Sequence, residues 1–172
     1  MRANRPNFRQ QLRRGFTLVE LLIVVIILAI LAAIVVPQFI ASTQDAAEAA
    51  VDTNLRNLRA AVDLYYQQHG EYPSDNGDGS NAADSAAAFL TQMTQFTDAD
   101  GAVSATKDAT HRFGPYLRRS SMPVDPVMKV STLVIATTGT LPVPADGGDP
   151  GGWKFDNQAG QIILNHSAYA TR

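Results

Sequence analysis

The 172-residue sequence predicts an α+β fold: one long N-terminal α-helix serving as a spine for a small C-terminal antiparallel β-sheet. Three observations carry this expectation. An apolar run extends from Phe16 to Val36; beyond Pro37 an amphipathic stripe continues to Gly70; and the last third holds short β-branched and aromatic segments parted by proline and glycine.

The apolar run comes first. Its 21 residues, ending in LLIVVIILAILAAIVV, would make a helix of roughly 30 Å, enough to cross a bilayer. Glu20 is the only ionisable side chain in it. A carboxylate inside a spanning helix costs roughly 2.5–3.5 kcal/mol, so Glu20 is a candidate functional residue in need of a partner, the alternative being that it lies near the interface and snorkels to water. Arg2, Arg5, Arg9, Arg13 and Arg14 precede Gly15 with no acid among them, whereas the first charges past the run are Asp45, Glu48 and Asp52. The positive-inside rule therefore keeps the leader cytoplasmic and sends the C-terminal bulk across the membrane. A secretory signal carries its small cleavage residue after the apolar run; here the small residue, Gly15, stands before it. Cutting between Gly15 and Phe16 removes the arginines, keeps the helix, and turns the Phe16 nitrogen into an amine that is cationic at neutral pH. That charge is what Glu20 lacks, and in a low-dielectric setting the pair is worth far more than at a surface.

The helical pattern continues past Pro37, which removes one backbone hydrogen bond and is expected to kink or loosen the helix. Val51, Leu55, Leu58, Val62 and Tyr65 recur at spacings of four, three, four and three, with alanines supporting the helix and Asp45, Glu48, Asp52, Arg56 and Arg59 opposite. At these spacings Asp52 can pair with Arg56 while Glu48 and Asp52 repel. Gly70 is a stop signal, so the helix would run from about Phe16 to His69, roughly 80 Å. EYPSDNGDGSNAADS then reads as a loop. A short helix follows, with Asn81 as cap, Asp84 in its first turn, and Phe89, Leu90, Met93 and Phe96 on its apolar face. DADGAVSATKDATHR reads as loop again. VSTLVIA, residues 130–136, predicts a strand, and Trp153 to Phe155 and Gln161 to Leu164 flank DNQAG as a hairpin. LPVPADGGDPGG between them suits neither regular structure. Such strands bury their apolar side against the helix.

Composition narrows the function. Some 135 residues follow Pro37, room for one small domain. Without the leader the chain holds nine basic and sixteen acidic residues, about −7, which argues against nucleic-acid binding. There is no cysteine, so the domain relies on its core, on the long helix, on a metal or on neighbouring subunits. Catalysis has little support: His69, His111 and His166 are scattered, at a solvated helix end, in a loop and in the tail, and no HExxH, GxSxG or phosphate loop is present. Arg118 and Arg119 are either a partner-contact patch or a solvated pair.

GFTLVELLIVVIILAILAAIVVPQF resembles the prepilin signature shared by type IV pilins and the pseudopilins of type II secretion systems, with Gly15, Phe16, Glu20, the apolar span and Pro37 in the order and spacing of that family. The resemblance implies cleavage after Gly15 by an inner-membrane prepilin peptidase, N-methylation of Phe16, and a role for Glu20 in filament assembly. It implies three regions: a leader, 1–15, that is removed; a transmembrane and filament-core helix, 16–37; and an extracytoplasmic pilin-like domain, 38–172.

GEYP at residues 70–73, GPYLRRSSMPVDP at 114–126 and GGWKFDNQAGQI at 151–162 look like the soluble-domain pattern of the major pseudopilin, although 127–148 departs from it. That resemblance implies calcium in a C-terminal loop. The candidate ligands are Asp146 and Asp149, or alternatively Asp75 and Asp78, since calcium takes six to eight hard oxygens; such Asp-Gly clusters also serve as plain turns.

The expectation is a non-enzymatic subunit of a type II secretion pseudopilus, anchored in the inner membrane with a cytoplasmic N-terminus and assembled in the periplasm or at the surface. Its partners would be copies of itself, the prepilin peptidase, the assembly platform, minor pseudopilins and the membrane. The alternative is a type IV pilus subunit for adhesion, twitching or DNA uptake. A membrane-tethered binding module is the third reading; tight binding of a small ligand, with no filament defect on deletion, would favour it.

Overall fold

The computed structural model describes residues 15–172. The arginine-rich stretch from Arg2 to Arg14 lies outside the described residues. Helix α1, Leu18–His69, spans 52 residues with Pro37 inside it, and the chain divides between Thr43 and Gln44 into two units. The helix assignment is unbroken at Pro37.

In the first unit the side chains from Phe16 to Ile40 are all exposed. This is the helix among the described residues that is long and apolar enough to cross a membrane.

The second unit is built on the rest of α1. Val51, Leu55, Leu58, Val62 and Tyr65, the stripe read from the sequence, are buried, joined by Ala61. They share one core with Phe89, Met93, Met122, Trp153, Phe155, Ile162, Leu164 and Tyr169. Helix α2, Ala86–Thr94, supplies Phe89 and Met93. Its cap is Ser85, whose Oγ accepts from Ala88 N at 3.1 Å; Asn81 instead donates to Asp78, and Asp84 precedes the helix with φ +57°. Phe96 lies beyond α2 in strand β1, Phe96–Thr97, which pairs antiparallel with β2, Val103–Ser104. This two-residue ladder falls where the sequence predicts loop: Asp98 Oδ1 accepts from Asp100 N and Ala102 N, and Gly101 takes φ +83°, closing the turn.

The main sheet has three strands, β3 (Leu133–Ala136), β4 (Trp153–Asp156) and β5 (Gln161–Leu164), in that spatial order. The β4–β5 hairpin is antiparallel as expected. β3 runs parallel to β4, so the sheet is mixed rather than purely antiparallel. The connection permits this: residues 137–152 form an excursion long enough for the crossover that a parallel neighbour requires. Both faces of the sheet are covered. Trp153, Phe155, Ile162 and Leu164 meet the helix, whereas Ile163 packs with Val143 from the excursion and with Ala170. At the hairpin turn Gly160 has φ +68°, and a Cβ there would enter the Tyr72 ring, so glycine is required twice over.

Candidate functional site

The N-terminal segment brings Gly15, Phe16, Thr17 and Glu20 together at the start of α1. Thr17 is the last residue before the helix and Glu20 lies in its first turn. Glu20 Oε2 accepts from Thr17 N at 2.9 Å and from Thr17 Oγ1 at 2.8 Å, while Glu20 N donates to Thr17 Oγ1 at 3.2 Å. This reciprocal pattern is a capping box: two backbone N–H groups without intrahelical partners are satisfied by the side chains of Thr17 and Glu20. Glu20 therefore has a capping role that was not read from the sequence, for which the T-x-x-E spacing just before an apolar run was the available signal. The carboxylate thus has local hydrogen bonds but no positive partner among the described residues, in a stretch whose apolar neighbours are all uncovered. Around Gly15 an added Cβ meets nothing within 4 Å among the described residues.

The calcium candidates take separate partners. Asp146 Oδ1 accepts from Lys154 Nζ at 2.6 Å and its Oδ2 from Asn165 Nδ2 at 2.9 Å. Lys154 and Asn165 hold the Asp146 carboxyl below the usual carboxylate range. Asp149 accepts from Ser167 N at 2.6 Å and Ser167 Oγ at 3.0 Å. Of the alternative pair, Asp75 is exposed. Asp78 is buried and accepts from Ser80 N, Asn81 N, Asn81 Nδ2 and Thr91 Oγ1. Burial raises the Asp78 carboxyl, but those donors outweigh it and leave it below its ordinary value. Among the described residues no three His, Asp or Glu side chains form a group suited to a metal ion.

The histidines remain apart. His69 is half-buried rather than solvated: it stacks on Tyr65 with ring centroids 4.1 Å apart, and its Nε2 lies 2.9 Å from Tyr116 Oη and 3.1 Å from Thr97 Oγ1. Burial pushes its imidazole below the usual value, against an opposing pull from the Ala99 carbonyl. His111 pairs with Asp108 at 2.9 Å and His166 lies 4.0 Å from Asp149. Arg118 and Arg119 are exposed and line a groove of about 290 Å³ with Asn54, Asn57, Leu58 and Leu117. On α1, Asp52 is paired with Arg172 rather than with Arg56. Arg172 also bonds Glu48 at 2.6 Å, so one cation relieves the expected repulsion between the two acids.

Comparison with known proteins agrees with the N-terminal geometry. Residues 11–36 match the prokaryotic N-terminal methylation motif. The chain is 42% identical over 66 residues to type II secretion system core protein G of Pseudomonas aeruginosa, covering 38% of this chain and 45% of that protein. It is 36% identical over 66 residues to core protein G of Klebsiella michiganensis, covering 38% and 46%. It is 32% identical over 100 residues to the type IV major pilin protein PilE of Neisseria gonorrhoeae, covering 58% and 59%. The matches to the core G proteins span less than half of their length. No solved structure matches the chain. Its N-terminal segment carries the prepilin methylation motif, and the chain is similar both to the major pseudopilins of type II secretion and to type IV pilins.

Proposed function

We propose that this chain is a structural, non-catalytic subunit of a type II secretion pseudopilus. The observation that carries the reading is the row of uncovered apolar side chains from Phe16 to Ile40 with one acid, Glu20, at its head. Such a surface belongs in lipid or among copies of itself. A prepilin peptidase cuts after Gly15 and the new Phe16 terminus is N-methylated. The subunit waits in the inner membrane, leader side in the cytoplasm, with residues 16–37 spanning and 38–172 outside. Glu20, released from Thr17, takes the Phe16 amine of a neighbouring subunit. Each pairing removes two isolated charges from a low-dielectric setting and sets the axial register between subunits. Exchange of lipid contacts for helix contacts lets subunits leave the bilayer for a periplasmic filament, with the assembly platform and minor pseudopilins as further partners.

A second reading, a type IV pilus subunit, is favoured by the longer stretch of similarity to PilE. Deleting the gene in its host separates them: loss of exoprotein release supports the pseudopilus, and loss of twitching or surface pili with normal release supports the pilus. Intact-mass analysis of the membrane-extracted protein tests both readings, since each requires a chain beginning at methylated Phe16. A mature chain beginning at Met1, or cut after Val36, would refute them.

A further inference from the structure

The excursion from Thr137 to Gly152 is the longest connection in the sheet, and Lys154 holds its middle from beneath. Lys154 lies in the middle of β4, opposite Ile163 of β5, on the sheet face that Val143 covers. Its side chain is only 11% exposed. The ammonium donates to Pro144 O at 2.9 Å and to Asp146 Oδ1 at 2.6 Å. Asn165, fully buried just after β5, completes the clasp: its Nδ2 donates to Asp146 Oδ2 at 2.9 Å, and its Oδ1 accepts from Asp146 N at 2.8 Å. The backbone of Asn165 bonds Gly151 and Gly152 at the far end of the same excursion.

A carbonyl oxygen and a carboxylate oxygen converging on one point are the donor types that calcium uses. Here that point is already held by a cation fixed to the sheet. A divalent ion bound to Asp146 would sit beside the Lys154 ammonium and be repelled by it. Asp149, the second candidate ligand, is turned to Ser167. The arrangement does not fit a resident calcium ion.

We infer that the Lys154 ammonium is the built-in structural cation of this excursion, binding Pro144 O and Asp146 where a metal-dependent loop would use calcium, so that the domain folds and stays folded without the metal. The inference stands apart from the filament reading, because it concerns the stability of a single subunit.

The test uses the full chain in detergent, melted while Trp153 fluorescence is followed, with millimolar Ca²⁺ or with chelator, alongside calorimetric titration of Ca²⁺ into the protein. The wild type should melt at the same temperature in both and take up no calcium. Lys154→Met should lower Tm by roughly 5 °C or more. Asp146→Asn should add little further loss in that background, because the two residues act as one pair. Lys154→Arg should recover part of the loss. A rise in wild-type Tm with Ca²⁺, stoichiometric calcium uptake, or independent additive losses at Lys154 and Asp146 would each overturn the inference. Should Lys154→Met fail to fold, the wild-type titration still decides the matter.

Discussion

Leu58→Ala probes the joint between helix and sheet on which the second unit depends. Leu58 is 2% exposed and belongs to the same core as Trp153, Phe155, Ile162 and Leu164. The substitution deletes three carbons, worth about 0.8 kcal/mol each in lost transfer energy. A sealed void would add about 24 cal/mol per Å³. Leu58 also borders the groove near Arg118, however, so the space opens toward water and neighbouring side chains can settle into it. The expected loss is therefore about 3 kcal/mol, inside the roughly 2–5 kcal/mol range for buried leucine truncations. That is a large share of a small domain's stability. Leu64 is on the same helix but 45% exposed, and Leu64→Ala should cost less than about 0.5 kcal/mol. Trp153 is the single tryptophan and lies in the affected core, so guanidinium titration of the detergent-solubilised chain, read by its fluorescence, measures both variants directly. A Leu58→Ala loss below about 1 kcal/mol, or equal losses at the two leucines, would refute the assignment of this face as the structural core.

The remaining predictions concern processing, assembly and acid. A Cβ at Gly15 meets nothing among the described residues, so Gly15→Leu should leave the subunit's own thermal transition unchanged while blocking cleavage; a normally processed variant by intact mass would remove the peptidase-recognition role. Glu20→Ala should still insert and be cleaved, with filament yield strongly reduced; normal filaments would show that the carboxylate is not the assembly partner. Burial raises the Asp156 carboxyl, but hydrogen bonds from Thr138, Ala159 and Gly139 outweigh it and hold it below its ordinary value. Its contribution is thus present above the unfolded value near ~4 and is lost as pH falls through the lower folded value. Asp156→Asn should lower Tm at neutral pH and flatten its fall in acid; an unchanged acid profile would remove Asp156 from the account.

The parts legible in the sequence are those where one periodicity governs. The stripe from Val51 to Tyr65 is buried as read, because a helix of this length leaves its apolar side no other place than the sheet. The β4–β5 hairpin is likewise local, its turn closed by Asp156 and Gly160 within a few residues. The direction of β3 was not legible: a 16-residue excursion can bring a strand back in either sense, and only tertiary contacts decide. The α2 cap fell to Ser85 rather than Asn81 because Asn81 has a stronger claim elsewhere, two donations to the buried Asp78. At the N-terminus the methylation motif over residues 11–36 was legible from the order of its residues. The capping role of Thr17 needed the helix start to be known to the residue.

A cysteine-free domain with this much irregular backbone still has to fix its loops, and the buried carboxylates show how. Asp78, Asp125 and Asp156 are each nearly or fully buried with no ion-pair partner among the described residues. An isolated buried charge is costly, so each is stable only while surrounded by donors. Asp156 has five: Thr138 N and Oγ1, Gly139 N, Gln158 N and Ala159 N. Asp125 takes Val127 N and Gly152 N, joining the proline-rich segment to the start of β4. In each case the donors include loop backbone N–H groups that would otherwise lack partners. The carboxylate needs the loop folded, and the loop's N–H groups need the carboxylate. Unlike a disulfide, this coupling stabilises only the folded state and works the same in reducing and oxidising surroundings. Its weakness is acid, where protonation of Asp78 and Asp156 withdraws acceptors from both of their loops. Unfolding in acid should therefore begin in these loops and reach the Trp153 core last, an order that hydrogen exchange at low pH would resolve residue by residue.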